Sequence, residues 1–204
     1  MKLNIRFSQR SAFTCAAHKD ALLRRRIKFV VEKGAMARLF RKNAHDRLQR
    51  RLFHLLKPAK LAAFSSRKRY DHWLRRTIKS QSWKPYVRKG LTLKSVRWAY
   101  IAKLLNILIY ELVSNRELFS HGNWKRVYRY LHVPIDSNVL AYISQFDSRC
   151  PRYLRPLKGM TGWKYREIQK IAREAADVWQ VAPIWFESAY SADKSKAKSN
   201  RKRR

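Results

Sequence analysis

Between Thr92 and Val113 the sequence carries its strongest helical pattern. Val96, Tyr100, Leu104, Ile107 and Leu108 share a broad apolar face with Ile101, Leu105 and Leu112, while Ala99, Lys103, Asn106 and Tyr110 line a narrower strip. A face this wide must be covered by other elements, and the flanking chain supplies amphipathic helical patterns. Over residues 16–57, Leu22, Leu23, Ile27, Val30 and Val31 form one stripe, Gly34 interrupts, and Met36, Leu39, Phe40, Leu48, Leu52, Phe53 and Leu56 form a second that Pro58 stops. Over residues 163–179, Ile168, Ile171, Ala172, Ala175 and Val178 face inward. A short helix is expected over 71–76, another of weaker pattern over 124–131, and a last one over 184–190. Strand alternation is not maintained over 124–131, and with helical patterns through the rest of the chain the fold class expected is all-α. The longest apolar run, Trp98 to Val113, is broken by Lys103, Asn106 and Glu111 and falls short of the roughly 18 to 20 residues of a membrane span.

Charge narrows the partner. The 204 residues hold 48 Lys and Arg against 13 Asp and Glu, a formal net charge of +35, alongside 46% hydrophobic residues. The apolar content predicts a folded core, and the charge predicts salt-sensitive attraction to polyphosphate through counterion release. Cations cluster at Arg24, Arg25 and Arg26, at Arg50 and Arg51, at Arg67, Lys68 and Arg69, at Arg75 and Arg76, and at Lys125 and Arg126. Ordinary solvated faces mix signs; these do not, and they are assigned to phosphate contact. Several alternate with aromatic residues, as in Arg67 to Arg76 and Trp124 to Leu131, a pattern suited to phosphates and unstacked bases together. The expected organisation is a basic helical clamp over 1–91, a second helical domain over 92–190 and a disordered basic tail over 191–204. The acid-poor start, 1–19, has some transit-peptide character.

Cys15 and Cys150 make neither a disulfide framework nor a zinc-binding pattern, so no metal and no cofactor is expected. The six histidines are scattered and read as surface or capping residues. No Gly-rich phosphate loop and no His-Glu-x-x-His pair occurs.

One stretch, Val133-Pro134-Ile135-Asp136-Ser137-Asn138-Val139-Leu140, places an acid among apolar residues at the start of a helix running to about Phe146. Pro134 ends what precedes it, and Asp136 or Ser137 can accept from the unpaired amides of the next turn. A carboxylate held there stays ionised and can serve as a cap, as a stabiliser of a developing cation, or as both. Lys103 is the one cation between Arg97 and Arg116. An amine set among apolar neighbours loses hydration, which favours its neutral, nucleophilic form; the alternative is a solvated stripe residue.

Ala102-Lys103-Leu104-Leu105, Val133-Pro134-Ile135-Asp136-Ser137-Asn138-Val139, Tyr165-Arg166-Glu167-Ile168-Gln169-Lys170-Ile171 and Ala182-Pro183-Ile184-Trp185-Phe186 resemble, in that order, the helix-hairpin-helix DNA glycosylases. The 8-oxoguanine branches, including the archaeal one, are nearest, and the resemblance spans about residues 94–190. It implies a compact helical fold in which Lys103 attacks the sugar carbon bearing a modified base and Asp136 stabilises the cationic sugar. It further implies double-stranded DNA with the target base flipped out, strand cleavage through a Lys-linked Schiff base, and Trp98, Trp124 or Trp185 as the ring that stacks on that base. The location that follows is the nucleoid in the cytoplasm, or else a nucleus or mitochondrion. Charge alone supports a different class, a non-catalytic ribosomal, ribonucleoprotein or nucleoid component with RNA among its partners.

Overall fold

In the computed structural model, which describes residues 3–32, 37–152 and 157–189, most of these periodicities become helices and the chain is all-α, whereas Leu39 and Phe40, expected in a helix, lie in a turn and a bridge. They are α1 (Leu3–Glu32), α2 (His45–Leu55), α3 (Pro58–Ala62), α4 (Arg67–Lys79), α5 (Leu93–Val96), α6 (Ala102–Val113), α7 (His121–Tyr128), α8 (Ser137–Ile143) and α9 (Gly162–Val178), with a last helical turn over 185–189. Among the described residues extended pairing is limited to one antiparallel bridge, Phe40 with Val87, fixed by the Arg41 amide on the Tyr86 carbonyl and the Arg88 amide on the Leu39 carbonyl, both 2.9 Å. None of the described helices is long and apolar enough to cross a membrane.

The segment after Thr92 is the axis of the fold. The Thr92 side chain accepts from the Ser95 amide and so starts α5. Between α5 and α6 the helix widens into a π turn, Arg97–Ile101, closed by the Ala102 amide on the Arg97 carbonyl. α6 then buries Leu104, Leu105, Leu108, Ile109, Leu112 and Val113. α1 buries Leu23, Ile27, Val30 and Val31 and packs on both α2 and α6, and α7 also packs on α6. One apolar cluster runs from Leu23 to Phe186, so both sides of the boundary expected near residue 91 contribute to the same core.

Some elements differ from their expected lengths. The helix expected over 71–76 is α4, which starts earlier because Ser66 accepts from the Arg69 amide at 3.3 Å. α1 reaches back into the 1–19 stretch. The Gly34 interruption and the 191–204 tail lie outside the described residues.

α9 begins where packing leaves no room for a side chain. Thr161 caps it by accepting from the Lys164 amide at 3.1 Å, and a Cβ on Gly162 would lie 2.7–2.9 Å from atoms of the Trp98 indole. Trp98 cannot yield, since it is 7% exposed and its ring lies 5.2 Å from that of Tyr165. Gly162→Ala is therefore expected to lower stability by about 1–3 kcal/mol, the usual range for overpacking a filled core, read as a lower urea midpoint with an unchanged slope.

Candidate functional site

The site is built on a stretch that is buried without being helical. Residues 131–135 are buried and irregular, a state that leaves backbone groups without intrahelical partners. Pro134 removes one donor, and the Gln169 carboxamide on α9 meets the Val133 backbone twice, accepting from its amide at 3.0 Å and donating to its carbonyl at 2.7 Å. This clamp delivers Asp136 to the start of α8. There Asp136 Oδ1 accepts from the Asn138 amide at 3.0 Å and the Val139 amide at 2.8 Å.

The other carboxylate oxygen is committed elsewhere. Lys103 Nζ, one residue into α6 beyond the π turn, donates to Asp136 Oδ2 at 2.8 Å. Both side chains are about four-fifths covered, with relative exposures of 21% and 24%. The two residues singled out from sequence are thus in direct contact, and Asp136 is a cap and an ion-pair partner at once.

A third group completes the cluster. Glu187, in the turn over 185–189, has its carboxyl pushed up to about 7, by burial first and by the Asp136 charge second, with Lys103 opposing. Its Oε2 is buried and finds no hydrogen-bond partner among the described residues. Chemically the cluster combines a fixed anion, a cation paired to it, and a carboxyl able to take or release a proton near neutrality. Nothing in the sequence near Glu187 marked it, because its environment is assembled from α6 and α8, far away along the chain.

A polar chain runs behind the clamp. Asn106 Nδ2 donates to Tyr165 Oη at 2.9 Å, the Tyr165 hydroxyl to His132 Nδ1 at 2.9 Å, and His132 Nε2 to Asp71 Oδ1 at 2.7 Å, with Arg173 Nη1 3.8 Å from Asp71 Oδ2. Burial pushes His132 down despite Asp71, which keeps the imidazole neutral. Burial works against the Asp71 charge, yet the His132 hydrogen bond and the Arg173 charge hold its carboxyl below the ordinary range. His132, at 6% exposure, is therefore a core residue and corrects the reading of every histidine as surface or capping. Its flanking Tyr130-Leu131 and Val133 held the clue, since they make the surroundings apolar.

The sequence-assigned cations differ in their surroundings. Arg25, Arg50, Lys68, Arg76 and Lys125 are exposed. The others make contacts within the fold, although Arg24, Arg26, Arg69 and Arg126 are exposed too. Arg24 covers the Phe53 ring at 3.9 Å, Arg26 lies 3.4 Å from Glu111, and Arg51 donates to Ser82 and lies 4.9 Å over Trp83. Arg67 donates to the Arg129 carbonyl at 3.1 Å, Arg69 to Ser65 Oγ at 3.3 Å, Arg75 to the Asp71 carbonyl at 3.2 Å, and Arg126 to the Ala62 carbonyl at 2.6 Å. Of the three candidate stacking rings, Trp98 is enclosed in the core and Trp185 packs among Tyr142, Phe146 and Phe186. Trp124 is partly exposed beside an open cleft. Among the described residues no group of three or more His, Cys, Asp and Glu side chains is arranged to hold a metal ion.

The raised Glu187 carboxyl has a consequence for stability with a definite sign. Its folded value, about 7, lies above the ordinary 4.5, so its share of stability is complete below about 4.5 and is lost as pH rises toward and past 7. Glu187→Gln removes that loss: relative to wild type the variant gains on the order of 1 kcal/mol between about pH 5 and about pH 8, after allowance for screening at a partly exposed group. Urea midpoints at the two pH values measure it.

Compared with protein-family models, with curated proteins and with solved structures, the chain finds no match.

Proposed function

We propose that the protein binds nucleic acid through a surface on which cations are left over once the fold has neutralised its own acids. The observation that carries this is the fate of the carboxylates. Asp20, Asp71, Glu111, Asp136, Asp147, Glu167 and Glu174 each stand in an ion pair with a Lys or Arg within the fold. With 13 acids in all against 48 Lys and Arg, few carboxylates are left to oppose the outward-facing cations. A polyanion supplies the missing charge, and release of its counterions drives binding. Affinity measured by fluorescence anisotropy against labelled DNA and RNA is expected to fall linearly on a log–log plot with salt. For a footprint of roughly six to ten phosphates the loss is about 10³- to 10⁵-fold between about 50 and about 200 mM. Absence of binding to either polymer at the lower salt overturns the reading.

A second reading, base removal, is favoured by the 2.8 Å contact of Lys103 with Asp136. In it the all-α fold is of the helix-hairpin-helix glycosylase kind and the substrate is DNA with a modified base. Attack on the sugar carbon needs a free amine, so Lys103 must first pass a proton to a base; the Glu187 carboxylate takes it, which leaves Asp136 charged. Asp136 then faces the developing sugar cation, and the Glu187 carboxyl can return a proton to the departing base. Borohydride should trap the protein on DNA carrying an abasic site. Lys103→Ala should abolish the trapped species while leaving anisotropy-measured binding within about tenfold, since it removes one cation among the many that contact phosphate. Trapping that survives Lys103→Ala, or none in the wild type, removes this second reading and leaves the first intact.

A further inference from the structure

A cleft away from Lys103 opens between α7, the start of α4 and the turn that follows α9, and it encloses about 510 Å³. That lies within the range of small-ligand pockets and suits a single nucleotide. Its walls combine three chemistries. Arg67, Lys125 and Arg129 provide cations, Trp124 and Tyr128 provide an aromatic surface, and Asp177 provides an acceptor. The aromatic surface is held in place: the Trp124 and Tyr128 rings lie 5.2 Å apart at 33°, and the Arg116 guanidinium lies 3.7 Å over the Trp124 ring. Arg67 is oriented by its hydrogen bond to the Arg129 carbonyl.

The fourth wall carries an anomaly. α9 ends in a Schellman turn, with the Val181 amide on the Ala176 carbonyl at 3.0 Å and the Gln180 amide on the Asp177 carbonyl at 3.2 Å. The left-handed position of such a turn favours glycine, yet here Gln180 occupies it at φ 52°, the one non-glycine with positive φ among the described residues. A side chain kept at a strained position, and lining a cleft, points to a use that glycine cannot serve.

We infer that this cleft receives one unstacked nucleotide of a single-stranded nucleic acid. The base lies against the Trp124 and Tyr128 wall, its polar edge meets Gln180 and Asp177, and the flanking phosphates meet Arg67, Lys125 and Arg129. A carboxylate and a carboxamide on one wall suit a base edge carrying an amino donor, and the cations suit the flanking phosphates. A base stacked within a duplex cannot enter, so the cleft makes the protein prefer unpaired strands. This rests on the nucleic-acid-binding reading above and specifies its substrate.

The test uses the full chain and anisotropy with a labelled oligonucleotide in three forms: single strand, duplex of the same sequence, and a single strand of abasic sites. The wild type is expected to bind the single strand about tenfold or more tightly than the abasic strand, the scale of base–aromatic stacking, and more tightly than the duplex. Gln180→Gly relieves the strained turn, so it should raise the melting temperature while cutting the preference for the base-bearing strand severalfold. Trp124→Leu should cut that preference further. Arg25→Glu, on α1, should weaken all three forms alike. A mononucleotide should displace the oligonucleotide only at far higher concentration; displacement at equal concentration would mean that the cleft serves free nucleotides and would overturn the assignment to a strand. Equal binding of all three forms, unchanged by Gln180→Gly and Trp124→Leu, also overturns it, while failure to bind any form defeats the broader reading instead.

Discussion

The structure depends on how a buried, non-helical piece of backbone is satisfied. An all-α protein normally closes its main-chain hydrogen bonds within each helix, and a stretch such as residues 131–135 departs from that economy inside the core. One glutamine resolves it. With its amide group, Gln169 meets the Val133 amide and carbonyl as a neighbouring strand would, and Pro134 brings no donor that needs a partner. Loss of that side chain would leave two buried backbone groups unpaired, each costing about 1–3 kcal/mol. The position of Asp136, and through it the contact with Lys103, follows from this clamp.

The polar chain from Asn106 through Tyr165 and His132 to Asp71 serves the same end by other means. It joins α6, α9, the 131–135 segment and α4 through directional bonds, which apolar packing alone cannot supply. Its charge ends at Asp71, close to Arg173 at 3.8 Å, so the buried part of the chain is neutral. In a molecule carrying +35, an anion placed at the outer end of such a chain also pairs with one cation, Arg173, and relieves some self-repulsion.

Much of this was legible in the sequence, and the reasons are local. The axis helix, α9 and the Asp136 cap are encoded within one or two turns, where periodicity and capping chemistry operate, and the Lys103–Asp136 pairing was reached through a family resemblance. Glu187 and His132 were missed because their character is set by neighbours distant in sequence: a glutamate with no other charged residue in its own helical turn looks solvated until α6 and α8 are folded beside it. The basic runs do not share one environment. Adjacent arginines such as Arg50 and Arg51 diverge, the first exposed and the second lying over Trp83, because consecutive positions on a helix face about 100° apart. Charge type can be read from sequence, but the direction in which each side chain leaves the helix depends on packing.

The π turn at Arg97–Ile101 sets a phase relation within the central helix. Such a turn accommodates one residue more than a regular helical turn, so the residues before it and after it belong to two angular frames offset by about 100°. Trp98, packed on Gly162, lies inside the turn, and Lys103, bonded to Asp136, lies beyond it. Removing a single residue between them would give a more regular helix, and it would swing Lys103 a quarter-turn or more away from Asp136. An irregularity of one residue in the backbone thus acts as the register mark that aligns the packing half of the helix with its chemical half.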